Sequence, residues 1–213
     1  MKDYRWWGEK YMNNIDQKIS MADQRNDEQE YHNAMQSAIN YLAIPEEYKL
    51  TNIMSHKHNS TDVWVFRYEK ASGENSGLGG EHYSLVIEKD THKILGFTWM
   101  DQKFTSGDLP SNNRTKDLAK AFLEKIELGL FHNLQNLWIR PHDEFITVNH
   151  GNKNKQLKIT GMKYKCYLKE EDSYVWVIIG PNEQIITFER EIKWEGQRIT
   201  EKWLHDSWIL DKN

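Results

Sequence analysis

Arg140-Pro-His-Asp-Glu144 sets a guanidinium, an imidazole and two carboxylates almost side by side, which is raw material for proton transfer or for holding an anion. The same composition is equally at home in a loop. No nucleophile motif stands near it, so no catalytic residue is assigned, and Arg140 and His142 are kept as candidate binding residues. His56-Lys-His58 places two imidazoles at i and i+2, a spacing that shares one face on a strand and could begin a metal site. No third ligand is evident and Asn-Ser-Thr follows, so the pair reads as part of a solvated loop; no metal and no cofactor are expected. Gly77-Leu-Gly-Gly80 lacks the Lys-Ser/Thr of a phosphate-binding loop and reads as a flexible connection. The single cysteine, Cys166, sits in the alternating run Met162-Lys-Tyr-Lys-Cys-Tyr-Leu168 and reads as a buried structural thiol.

Tryptophan supplies the other candidates. Arg198 to Leu210 carries Ile199, Trp203, Leu204 and Trp208 on what reads as a terminal aromatic helix or strand. Its apolar face either docks on the chain's own sheet or anchors another protein, because tryptophans dominate interface hot spots. Trp6 and Trp7 admit the same two readings.

The elements that must position these residues are legible in outline. Asp27–Leu42 has the spacing of an amphipathic helix closed by Pro45, and Asp62–Glu69 is a β-branched and aromatic strand. His82–Glu88 and Lys93–Met100 form a hairpin. The stretch 104–113 reads as a linker, a second helix runs from Arg114 to about Gly129, and short strands follow at Phe145–Val148, Gln156–Ile159 and Met162–Leu168. Tyr174–Ile179 and Gln184–Ile192 form a second hairpin.

The two hairpins match at a constant offset of 91 residues: Tyr83 with Tyr174, Val86 with Val177, Ile87 with Ile178, Ile94 with Ile185 and Phe97 with Phe188. Order and type of element repeat with them. The expected fold is α+β: a polar and aromatic segment over 1–26, helix-plus-antiparallel-sheet modules over 27–103 and 114–195, and a C-terminal tail over 196–213. Both strand faces are partly apolar, so a second cover is needed, from the other module or from the tail.

An apolar strand, the polar turn Glu88-Lys-Asp-Thr-His-Lys93 and a strand opening Ile94-Leu-Gly-Phe97, all after a helix, resemble the PepSY domain family of bacterial peptidase propeptides and secreted or cell-envelope proteins. The resemblance spans roughly 30–100 and, more faintly, 115–192. It departs from the family at the turn, where His92 and Glu183 replace the glycine before the last strand. It implies a non-catalytic binding or inhibitory module with a protein partner such as a peptidase or envelope protein, and it carries over no functional residue. The alternative is a small-molecule-binding or hydrolytic protein with a cystatin-like or nuclear-transport-factor-like curved sheet around a pocket, with Arg140, His142, Asp143 and Glu144 the first residues to test.

Composition narrows the partners. With 28 basic and 32 acidic residues the net charge of -4 gives no overall pull toward nucleic acid, and no apolar run reaches the length of a membrane span. The polar start from Met1 to Ser20 predicts a cytoplasmic protein if it is native, and a secreted or envelope-attached one if a signal was trimmed.

Overall fold

The computed structural model describes residues 21 to 151 and 153 to 212. Trp6, Trp7 and most of the 1–26 segment lie outside them.

Helix α1 (Met21–Ile39) leads into β1 (Tyr48–His58), β2 (Thr61–Lys70), β3 (His82–Glu88) and β4 (Ile94–Met100). After a short 3-10 turn, helix α2 (Asn112–Ile126) and the one-turn helix α3 (Leu130–Asn133) precede β5 (Leu134–His150), β6 (Lys153–Leu168), β7 (Ser173–Ile179) and β8 (Ile185–Ile192). A two-stranded ribbon, β9 (Trp194–Glu195) with β10 (Gln197–Arg198), and the short helix α4 (Asp206–Asp211) complete the chain. All eight long strands form one antiparallel sheet in the order β1-β2-β3-β4-β8-β7-β6-β5.

The molecule is thus α+β with an antiparallel sheet, and its two meanders join edge to edge through β4 and β8 instead of stacking face to face. At that seam Phe97 stands opposite Phe188, Gly96 opposite Glu189 and Thr98 opposite Thr187. Phe97 and Phe188 are also partners at the 91-residue offset, so the seam has the same register read from either half.

Both longer helices cover one face. Ala34 and Ala38 of α1 are buried, and Tyr31 meets the Trp64 ring edge-on at 6.0 Å. Ser111 caps α2, accepting from the Arg114 backbone N–H. Phe122 of α2 lies 5.8 Å from the Phe97 ring and 5.4 Å from the Phe188 ring, bridging the seam from above. Cys166 is buried on this face, and burial pushes its thiol up to about 11.

The opposite face is covered in part by the tail. Leu204 packs with Val63, Val65, Val86 and Leu95. Gly96 makes this approach possible, since a Cβ there would lie 2.7 Å from the Phe188 carbonyl oxygen and 2.8 Å from Leu204 Cδ1. Asp206 accepts from both terminal nitrogens of the buried Arg67 and from the Gly79 backbone N–H, fastening α4 to β2 and to the 72–80 loop. Burial would raise the Asp206 carboxyl, but neighbouring His82 and Arg67 hold it below the usual range.

Three sequence expectations change. The histidine pair belongs to strand β1, not to a loop: His56 stacks on Trp203 with ring centroids 3.8 Å apart, and His58 is buried. The short strands between 145 and 168 are pieces of one long hairpin, β5–β6, which Pro141 and Gly161 do not interrupt because they sit opposite Met162 and His142 in a ladder that is continuous from Trp138 to His150. The helices also start earlier than read, at Met21 and Asn112.

Candidate functional site

Along the tail-side face, cross-strand register builds a row of large and charged side chains. Trp138 of β5 faces Lys165 of β6, which faces Trp176 of β7, which faces Glu189 of β8. One step further, Arg140 faces Lys163. This alternation in β6 follows from its sequence: Tyr164, Cys166 and Leu168 enter the core, so Lys163 and Lys165 point the other way.

Four rings surround the Lys165 ammonium: Tyr174 at 4.6 Å, Trp194 at 4.8 Å, Trp138 at 5.6 Å and Trp176 at 5.8 Å. Lys163 Nζ sits 3.9 Å above the Trp176 ring, and the Arg140 guanidinium lies 5.7 Å from Trp138. The β9–β10 ribbon forms the wall. It turns at Gly196, whose φ of 69° is the left-handed region open to glycine. Between ribbon and sheet runs a cleft of about 490 Å³ lined by Leu137, Tyr167, Asp172, Tyr174, Lys193, Trp194, Glu195 and Ile199. Leu137, Trp194 and Ile199 are exposed there at 42%, 47% and 50%.

A buried polar cluster lies on the same face, centred on Glu189 opposite Trp176. Glu189 accepts from Arg198 Nη2 at 2.7 Å, His205 Nε2 at 2.9 Å and Trp176 Nε1 at 3.1 Å. Burial alone would raise this carboxyl; Arg198 and His205 outweigh it and hold Glu189 well below the usual carboxylate range. Glu144 Oε1 lies 3.7 Å from His205 Nδ1 and 3.0 Å from His142 Nε2. Burial opposes ionisation of Glu144 too, and the two histidines override it.

Lys163 and Lys165 differ from these groups. Among the described residues neither has a carboxylate within ion-pair distance. Burial is the first cause of a fall in both, and it brings the Lys163 amine down to about 8. Glu189 and Glu144 attract the Lys163 ammonium from farther off without outweighing its desolvation, so its burial costs stability. Replacing Lys163 by Met, which keeps the apolar stem over Trp176, is expected to stabilise the fold by about 1–3 kcal/mol at pH 7, measured by urea denaturation. The penalty is carried in full below pH 8. Between there and the ordinary 10.5 the unfolded chain binds the extra proton, so wild-type stability rises with pH and the gain from the variant fades.

Of the residues expected from sequence, Arg140 and His142 come to this face, Arg140 by the Trp138 ring and His142 on Glu144, and neither lines the cleft. Asp143 points away, pairing with Lys158 and Thr160. Trp203 and Trp208 lie at the far end of the face: Trp203 donates to the Lys57 carbonyl and meets Trp208 edge-on at 5.0 Å. Reading the sequence missed Trp138, Lys163, Lys165, Trp176, Glu189 and Trp194. The Lys-x-Lys alternation with cross-strand tryptophans was the available signal for most of them.

No group of three or more His, Cys, Asp and Glu side chains among the described residues is placed to hold a metal ion. No described helix is long and apolar enough to cross a membrane. No family model matches the chain, and no curated protein or solved structure is significantly similar to it.

Proposed function

We propose that this chain is a non-catalytic binding protein of PepSY-like type, built from two related helix-and-sheet modules, which holds a segment of a protein partner in the cleft between β5–β8 and the β9–β10 ribbon. The observation that carries the reading is the cleft itself, where Leu137, Trp194 and Ile199 stand exposed around a floor of aromatic rings. Exposed tryptophan beside other apolar side chains is what an interface anchor requires. The two-module part draws support from the symmetric register at the β4–β8 seam.

A photo-crosslinking amino acid introduced at Trp194 or Ile199 is expected to capture a defined protein in cells of the source. The same group at Leu128, exposed at 92% away from the cleft, is expected to capture none. Equal labelling from all three positions, or none from the cleft, would sink the reading.

A further inference from the structure

The hairpin β5–β6 outruns the sheet that carries it. β6 pairs with β7 only from Met162 to Leu168, whereas its ladder with β5 continues to His150 opposite Lys153. Residues 143–150 and 153–161 therefore form a two-stranded arm, and an isolated ribbon of two strands is marginal in water unless something holds it down. The arm leaves the sheet close over β7 at Gly161, where a Cβ would lie 2.5 Å from Ile178 Cγ2 and 3.1 Å from the Ile179 carbonyl oxygen. Beyond that point Ile146, Val148 and Ile159 are buried in the core that also holds Phe97 and Phe188.

Among the described residues, two backbone amides tie the outer edge of the arm to the rest of the chain, and both end on the 72–80 loop. The Thr147 N–H donates to the Gly79 carbonyl and the Asn149 N–H to Asn75 Oδ1, each at 2.7 Å. Gly73, Asn75, Gly77 and Gly79 of that loop all take positive φ, and glycines lose the most conformational freedom on being ordered, so the loop depends on bonds from outside. Arg67 donates to the Gly77 carbonyl, Glu69 accepts from the Gly77 N–H, and buried Glu81 accepts from Asn75 Nδ2. From the tail, Asp206 accepts from the Gly79 N–H at 2.6 Å. One glycine thus takes the arm on its carbonyl and the tail on its N–H.

We propose that the 72–80 loop is a latch between the tail and the arm. The arm lies closed on the core while Asp206 holds Gly79, and release of the tail frees the arm to lift and uncover Ile146, Val148 and Ile159. The coupling runs both ways, because a coupling free energy is reciprocal. The tail follows on the β9–β10 ribbon, so the latch joins the arm to the element that walls the cleft. It holds whatever the cleft binds.

The test is hydrogen exchange, read by nuclear magnetic resonance on the full chain, at the amides of Thr147 and Asn149 for the arm, Trp208 for the tail and Val177 in β7 for global opening. Asp206→Ala should speed exchange at Thr147 and Asn149 about tenfold or more and leave Val177 unchanged. The direct contact of Glu144 with His205 survives in that variant, so an effect on the arm reports the loop. Asn75→Gly keeps the positive φ and removes the acceptor of Asn149; it should speed both arm amides and, by reciprocity, Trp208. The latch is overturned if Thr147 and Asn149 keep their rates in Asp206→Ala while Trp208 accelerates, or if Asn75→Gly frees the arm and leaves Trp208 unmoved. Should Asp206→Ala loosen Val177 as much as the arm, the whole fold is opening and the Asn75→Gly result decides.

Discussion

Glu189→Ala should unfold at a urea midpoint far below that of the wild type, with a loss of about 3–5 kcal/mol. The carboxylate is 2% exposed and is the acceptor for an arginine, a histidine and a tryptophan at once. Removing it strands the buried Arg198 guanidinium and leaves the Trp176 N–H unpaired, and each lost partner carries a desolvation cost. The tail should loosen with it, because Arg198 and His205 both hold the segment over the sheet through this one side chain. In calorimetry the drop in Tm should be roughly 6–20 °C for a chain of this size. Glu189→Gln should lose less, since its amide oxygen still accepts one bond. The folded carboxyl is held below its ordinary value, so its contribution is fully present above about pH 4.5 and is lost as pH falls through the folded pKa. Wild type and variant should therefore converge under strong acid. A loss below about 1 kcal/mol at pH 7 would mean that the three donors find other acceptors.

Phe188→Ala should cost a similar amount, about 3–5 kcal/mol, by a different route. Its ring is fully buried, opposite Phe97 and under Phe122, where no polar group would benefit from the space released. Phe97→Ala should behave alike, and the double variant should lose less than the sum because both open the same cavity. Tryptophan fluorescence and far-ultraviolet circular dichroism should still report one coincident transition. Two separated transitions would show that the halves do not share a core.

The parts of the fold legible in sequence were those buried on both faces. Val63–Tyr68, Tyr83–Ile87 and Tyr174–Ile179 are dense in β-branched and aromatic residues because both faces of the central strands are covered, and such runs resemble nothing else. Strand β1 was not legible because it is an edge: between buried Tyr48 and His58 most of it is exposed, and its polar composition mimics a loop. The candidate site was legible only in fragments. Arg140 and His142 stood out as a local cluster, whereas Glu189 is the first of three successive charged residues in β8, Glu189-Arg190-Glu191, and its partners arrive from β7, from β10 and from the tail. Nothing in local spacing announces a carboxylate whose ligands are set by the return of the C-terminus. The aromatic floor was hidden for the same reason, since Trp138, Lys165 and Trp176 become neighbours only through register across three strands.

The seam between β4 and β8 also bears on the order of assembly. Each meander pairs neighbours that are close along the chain, whereas Thr98 and Thr187, which share a hydroxyl hydrogen bond at 2.8 Å, are 89 residues apart. Closing a loop of that length is paid in chain entropy before any contact repays it. Each meander with its helix is therefore the natural early unit in folding, and the pairing of β4 with β8 is the late, high-contact-order event that turns two marginal layers into one cooperative sheet. Hydrogen exchange at the backbone amides of Phe97 and Phe188 is the place to watch it happen.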